Sequence, residues 1–368
     1  MKKLLAMMLV AIMALSMLNG CARSDSGATE KKSTEATSNE SSGSKTIGMV
    51  IKNPTTEYIQ GFIIGAQKVC DKYGYELKVV DGQADSMKIM DAIDNFILQG
   101  IDAFILAGAE DLKTLVPGIE RLNEENIPVY AVDTCPEGGH VDMFITNDIV
   151  ASSAKAAAQM IEGIKEKNNG EVPEGVIIEI TGSLVDMYTT DCNTGFMSVM
   201  EQYPQLKIVQ GEGHWNNDDS YARTADLLTR YGDEVVGVYC HTPDIMGSGV
   251  VSAIEAADKN PADYFISGIC IGAEGLSLLK EGKLYAVVEQ PALDMAGKCV
   301  EYIHMMFEGE QIPQVGDVIE EEGALWSPAK VIENEYAESG ATMILESPLV
   351  PQECPVDDER LYENVIAK

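Results

Sequence analysis

Basic residues are scarce in this 368-residue chain. It carries 26 Lys and Arg against 59 Asp and Glu, a formal net charge of −33. So acidic a surface repels polyanions, which argues against nucleic acid and anionic lipid headgroups as partners. Long apolar runs are few as well. Leu4 to Leu18 is almost wholly apolar, but its 15 residues fall short of the roughly 20 needed to cross a bilayer. The cysteines form no CxxC pair and no Cys/His spacing of the zinc type, so the common dithiol and zinc motifs are excluded. There is no short-period repeat, which excludes a solenoid. With 45% hydrophobic residues, the length supports two domains, each with its own core.

What is present starts at the N-terminus. Lys2 and Lys3 precede the apolar run, and a basic start followed by a core of this length fits a secretory signal. Leu18-Asn19-Gly20-Cys21 closes the run and resembles the lipobox of bacterial lipoproteins. That resemblance implies that residues 1–20 are removed and that Cys21 becomes a lipidated N-terminus. It also implies that the protein works outside the cytoplasm, anchored to the cell membrane. Acyl chains anchor through about 0.8 kcal/mol per buried methylene. Residues 21–45 read as a disordered tether, because from Ala22 to Lys45 no apolar residue exceeds alanine. The other seven cysteines are Cys70, Cys135, Cys192, Cys240, Cys270, Cys299 and Cys354. An odd number cannot all pair within one chain, and apolar surroundings such as "GVYCH" suggest buried free thiols.

Order is expected from Thr46. "TIGMVI" reads as a strand, and Ile59, Phe62, Ile63, Ala66, Val69, Cys70 and Tyr73 recur at helical spacing until Gly74 stops them. "YELKVV", a helix striped by Met90, Ile93, Phe96 and Ile97, and "DAFILA" follow. A helix through Leu112, Leu115, Val116, Ile119 and Leu122 and the strand "IPVYAV" close the series. The alternation then repeats: a helix near 150–167, "GVIIEI", a helix around Phe196 to Tyr203, "LKIV", a helix through Leu227, "VVGVYC", a helix near 245–257 and "YFISGIC". Alternating strands and helices with short connections give an α/β fold of two lobes, each a parallel sheet covered by helices. Such sheets bind ligands beyond the carboxyl ends of their strands, and two lobes facing each other make a cleft. The residues after the strands include carboxylates, hydroxyls, amides, Tyr58 and Trp215, but almost no Arg or Lys. A phosphate or carboxylate ligand is therefore disfavoured.

Three stretches are similar to the type I periplasmic sugar-binding proteins, the ribose/galactose-binding branch. They are "GFIIGAQKVCDKYGYELKVVDGQAD", "GIDAFILAGAEDLKTLVPGIERLNEENIPVYAVDT" and "GICIGAEGLSLLKEGKLYAVVEQPALDMAGKCVEYI". The likeness covers about residues 46–312. It implies two Rossmann-like lobes joined by a three-segment hinge, closing on a sugar. The implied boundaries are 46–147 plus 291–318 for the N-terminal lobe and 148–290 plus 319–336 for the C-terminal lobe, with 337–368 as a C-terminal extension of no assigned role. Carried over by position, the family's ligand contacts fall at Tyr58, Asp133, Thr190, Trp215, Thr242 and Gln290. The arginine that follows the family's first carboxylate is Thr134 here, its second arginine is Thr190, and its last aspartate is Cys270.

Each position has a plainer alternative. Trp215 could stack on a sugar ring or cover the hinge. Tyr58 could do the same or pack on its own helix. Asp133 could accept two sugar hydroxyls or serve a turn, and Gln290 could be a hinge amide. Cys240 and His241 invite a nucleophile–base reading, but neighbours on a strand point to opposite faces. Asn216-Asn217-Asp218-Asp219 lacks the glycine and terminal Glu of a calcium loop, so a helix cap is expected. No acid/base or nucleophile arrangement supports an enzyme, and no cofactor or metal is implied. The expected function is that of an ABC importer's substrate-binding lipoprotein for a neutral sugar or polyol, docking on a membrane permease. The alternative is a sensory binding protein that presents a small molecule to a receptor kinase.

Overall fold

The computed structural model describes residues 44–109 and 111–366. The signal, Cys21 and the tether to residue 43 lie outside the described residues. Among the described residues, no helix is long and apolar enough to cross a membrane.

The first sheet grows from β1 (Thr46–Ile51), β2 (Glu76–Asp81), β3 (Ala103–Ala107), β4 (Val129–Val132) and β5 (His140–Asn147), all parallel in the order β2-β1-β3-β4-β5. Alternation along each strand feeds two cores. Ile47, Met49 and Ile51 with Ala103, Ile105 and Ala107 face helices α1 (Glu57–Tyr73) and α9 (Ala292–Phe307). Val50, Phe104 and Leu106 face α2 (Ser86–Gln99) and α3 (Val116–Glu124). Buried on both faces, β1, β3 and β4 are apolar at nearly every position. The helices stop where expected: Gly74 and Gly100 sit at φ 75° and 68° as left-handed caps of α1 and α2. α1 and α9 pack very closely at Gly65, where a Cβ would stand 2.1 Å from the Leu293 carbonyl oxygen.

The second sheet repeats the winding. β6 (Gly175–Thr181), β7 (Leu206–Glu212), β8 (Val235–Cys240), β9 (Ser267–Ile269) and β10 (Ala286–Val288) lie in the order β7-β6-β8-β9-β10. One face meets α6 (Asn217–Tyr231), α7 (Pro243–Ala256) and α8 (Gly272–Lys280). The other meets α4 (Ile149–Lys167) and α5 (Met187–Met200).

The tail departs from expectation. β11 (Val318–Ile319), β12 (Ala329–Glu333) and β13 (Ser339–Leu345) extend the first sheet, with β13 parallel to β5. Residues 319–336 therefore do not join the C-terminal lobe; Lys330 to Glu333 pair with Ala341 to Ile344 instead. Nor is 337–368 a mere extension. After β13 the chain crosses to the second sheet, where β14 (Leu349–Val350) pairs antiparallel with β10, and it ends in α10 (Tyr362–Ile366). The three crossings are thus at Asn147–Asp148, Glu289–Pro291 and Glu346–Pro348, and they are stitched together. Asn147 Nδ2 donates to Ser347 Oγ (3.2 Å), Gln290 Nε2 to Asn147 Oδ1 (3.4 Å), and Glu289 N to Pro348 O (2.8 Å).

Candidate functional site

The cleft lies where both sheets end. The loop after β1 leads into α1, whose N-cap Thr56 accepts from Ile59 N at 3.4 Å. This cap sets Tyr58 on the first turn, and the phenol reaches the end of β4. There Tyr58 Oη donates to Asp133 Oδ1 at 2.9 Å. Asp133 holds a left-handed backbone, φ 69°, a conformation that costs free energy in a non-glycine residue and often marks functional positions. Burial pushes its carboxyl up to about 6, although the Tyr58 hydrogen bond and the Lys52 charge pull the other way.

Gln290, at the second crossing, joins the lobes. Its Nε2 donates to Tyr58 Oη (3.5 Å) as well as to Asn147, and its Oε1 accepts from Tyr188 Oη (3.2 Å). Tyr188, on the first turn of α5, stands edge-on to Trp215, with ring centroids 5.7 Å apart. Trp215 also has a left-handed backbone, φ 57°. Its ring fits only because residue 182 is glycine: a Cβ there would meet the indole at 1.9 Å. Asp133, Tyr58, Gln290 and Tyr188 therefore form one hydrogen-bonded chain from the first lobe to the second, with Trp215 at its end. A further tie runs at the rim, where Glu57 Oε2 accepts from Ala273 N at 2.6 Å, at the start of α8.

Thr242 lies buried before α7, with its Oγ1 unpaired, and Asp244 Oδ1 beside it is also unpaired. Burial pushes the Asp244 carboxyl up to about 7. Thr190 lies on the first turn of α5, two residues after Tyr188. It is exposed on α5, and its hydroxyl donates to the Asp186 carbonyl of its own helix at 3.4 Å. Thr134, in place of the family's arginine, donates no cation; its Oγ1 accepts from Ala109 N at 2.9 Å. His241 is fully buried, and its Nε2 lies 2.8 Å from Glu179 Oε1. Glu179 also accepts from Asn193 Nδ2 (3.1 Å) and Gln210 Nε2 (2.7 Å). Cys240 faces the opposite core, away from His241. Asn216 caps α6, accepting from Asp219 N at 2.8 Å, and no group able to hold a metal ion occurs among the described residues. Trp326 is buried in the first lobe's core beneath Lys298, and its carbonyl accepts from Glu346 N at the third crossing (2.9 Å).

Sequence reasoning missed Tyr188, Asn147 and Tyr362. Tyr188 lies five residues beyond the strand-end segment, on a helix that starts earlier than its apolar stripe suggested. Asn147 ends β5, a strand outside the expected series.

Two like-wound lobes with ties across their cleft define a two-domain solute-binding protein, built to capture rather than to catalyse. The chain belongs to the periplasmic binding protein domain family, which matches residues 47–311. This family is extracytoplasmic and not enzymatic. Among curated relatives, the ribose import binding protein RbsB of Bacillus subtilis is 25% identical over 67% of this chain and 77% of its own length. The D-apiose import binding protein of Actinobacillus succinogenes is 24% identical over 69% and 81%. A solved ABC transporter periplasmic solute binding protein from A. succinogenes, with bound D-allose, superposes with a TM-score of 0.64. It is 18% identical over 73% of this chain and 93% of its own, a likeness of fold.

Proposed function

We propose that this protein captures a neutral sugar or related polyol outside the cytoplasm and delivers it to an ABC importer. The observation that carries the reading is the polar chain Asp133–Tyr58–Gln290–Tyr188, which spans both lobes at the strand ends. It offers donors and acceptors in a mixture that suits hydroxyl groups, with the rings of Tyr58 and Trp215 beside it for the apolar face of a sugar. The relatives named for ribose and apiose import support the class of ligand and the importer. In the mechanism, a ligand bonded to both lobes shifts the open–closed equilibrium toward the closed form. The closed form docks on the permease, while lipid on Cys21 keeps the protein at the membrane.

A thermal-shift panel of sugars, polyols, amino acids and nucleosides tests the reading. A ligand at a hundredfold excess over Kd stabilises the native state by about 2.7 kcal/mol, a readily measured rise in Tm. A panel in which amino acids or nucleosides raise Tm and no sugar or polyol does would overturn it.

A further inference from the structure

The C-terminal segment brings a side chain to the cleft that the matched family region, ending at residue 311, does not contain. Leu361 packs into the second lobe's core and Tyr362 into the first lobe's. One turn of chain thus straddles both lobes, and α10 lies against α1 and α8 together. Tyr362 is 2% exposed. Its ring is edge-on to Tyr58, with centroids 6.5 Å apart, and its Oη lies 3.6 Å from Cys270 Sγ. Cys270 directly follows β9 in a left-handed conformation, φ 65°, as Thr242 follows β8 in the same sheet and Asp133 follows β4 in the other. Gly61 of α1 faces the ring at contact distance, and it is Ala292 of α9, 2.9 Å from where a Cβ would stand, that needs a glycine there. Next to it, Glu363 is 1% exposed, and its buried carboxyl neighbours that of Glu289.

We infer that the C-terminal segment is a third wall of the ligand site, and that Tyr362 sets the size of the solute, limiting it to a single sugar ring or a short polyol. This rests on the sugar-binding reading above. Tyr188 and Trp215 bound the cleft on the second lobe's side, and Tyr362 bounds it at Tyr58 and Cys270. A second ring linked toward Cys270 would have to occupy the space of the Tyr362 phenol. Because the wall bridges both lobes, it also shields Cys270 from solvent.

The test uses the mature protein and its Tyr362→Ala, Tyr362→Leu and Tyr362→Phe variants. Calorimetry with D-ribose, D-allose, D-galactose and lactose reads selectivity, and iodoacetamide labelling mapped by mass spectrometry reads each thiol. The wild type should bind one or more monosaccharides and not lactose, and Tyr362→Phe should follow it within about threefold. Tyr362→Ala should lose at least tenfold for the monosaccharide and lose its discrimination against lactose. It should also label faster at Cys270 alone, with Cys192, Cys240 and Cys299 still protected. If Tyr362→Ala does not fold, Tyr362→Leu carries the same comparison. A folded Ala or Leu variant with wild-type affinities and unchanged Cys270 labelling overturns the inference. A wild type that binds no sugar overturns the sugar-binding reading instead, and Cys270 labelling then still decides whether Tyr362 is a wall.

Discussion

At the scale of single residues, Asp133 does two opposed things. Burial raises its carboxyl to about 6, so the ionised form is held at a cost to the folded state, while the same carboxylate is a strong acceptor for hydroxyls. Asp133→Asn should therefore weaken sugar binding by about 1–3 kcal/mol, the range for a lost hydrogen bond to a charged group, without lowering Tm at pH 7.5. Trp215→Ala should cost a similar amount in binding through lost stacking and apolar burial. Calorimetry and melting curves check both; wild-type affinity in either variant removes that residue from the site. Thr190 has a local partner. A threonine hydroxyl in a helix readily bonds the carbonyl four residues back, and Thr190 does so on an exposed face.

At the scale of elements, two glycines hold close approaches of different kinds. At Gly65 the obstacle to a Cβ is the backbone of α9, the Leu293 carbonyl. Gly65→Ala has to push two helices apart, and it should destabilise the protein by about 1–3 kcal/mol, read as a lower urea midpoint. At Gly182 the obstacle is the Trp215 indole, a side chain that can turn aside. Gly182→Ala should leave the urea midpoint nearly unchanged but shift tryptophan fluorescence and weaken ligand binding. Equal losses of stability in the two variants would contradict this division between scaffold and site.

At the scale of the whole molecule, acidic side chains meet between the lobes. Burial raises the carboxyl of Asp244 to about 7 and that of Asp133 to about 6, and burial with the neighbouring Glu363 raises that of Glu289 well above the usual carboxylate range. Glu363 is raised by burial too. Between about pH 4 and pH 7 the folded protein binds more protons at these groups than the unfolded chain does. Their contribution to stability is therefore full below the ordinary carboxylate range and is lost as pH rises, through about 6 for Asp133 and about 7 for Asp244. Asp358, held down near 2 by Arg360, acts oppositely and only at lower pH. Tm should fall from pH 5 to pH 8, and Asp244→Asn should flatten that slope and raise Tm at pH 8. An unchanged slope in the variant would assign the pH dependence to the net charge of −33 rather than to the cleft.

The sequence by itself determined the two alternating α/β lobes, because strands buried on both faces and amphipathic helices leave a local signature at each residue. It also carried Tyr58, Asp133, Trp215 and Thr242 to the strand ends, since the residues after a parallel strand have a known place, while Gln290 came from the family resemblance. Only the tertiary structure decided that β12 and β13 belong to the first sheet. Pairing partners such as Lys330 and Ile344 are set by long-range register, and both lobes offer a free sheet edge to the same short strands. Only the tertiary structure, too, linked Tyr58 to Gln290 and Tyr188 and carried Tyr362 back to Cys270. Those contacts join residues far apart in the chain, and their geometry arises from how the two lobes and the returning tail pack together.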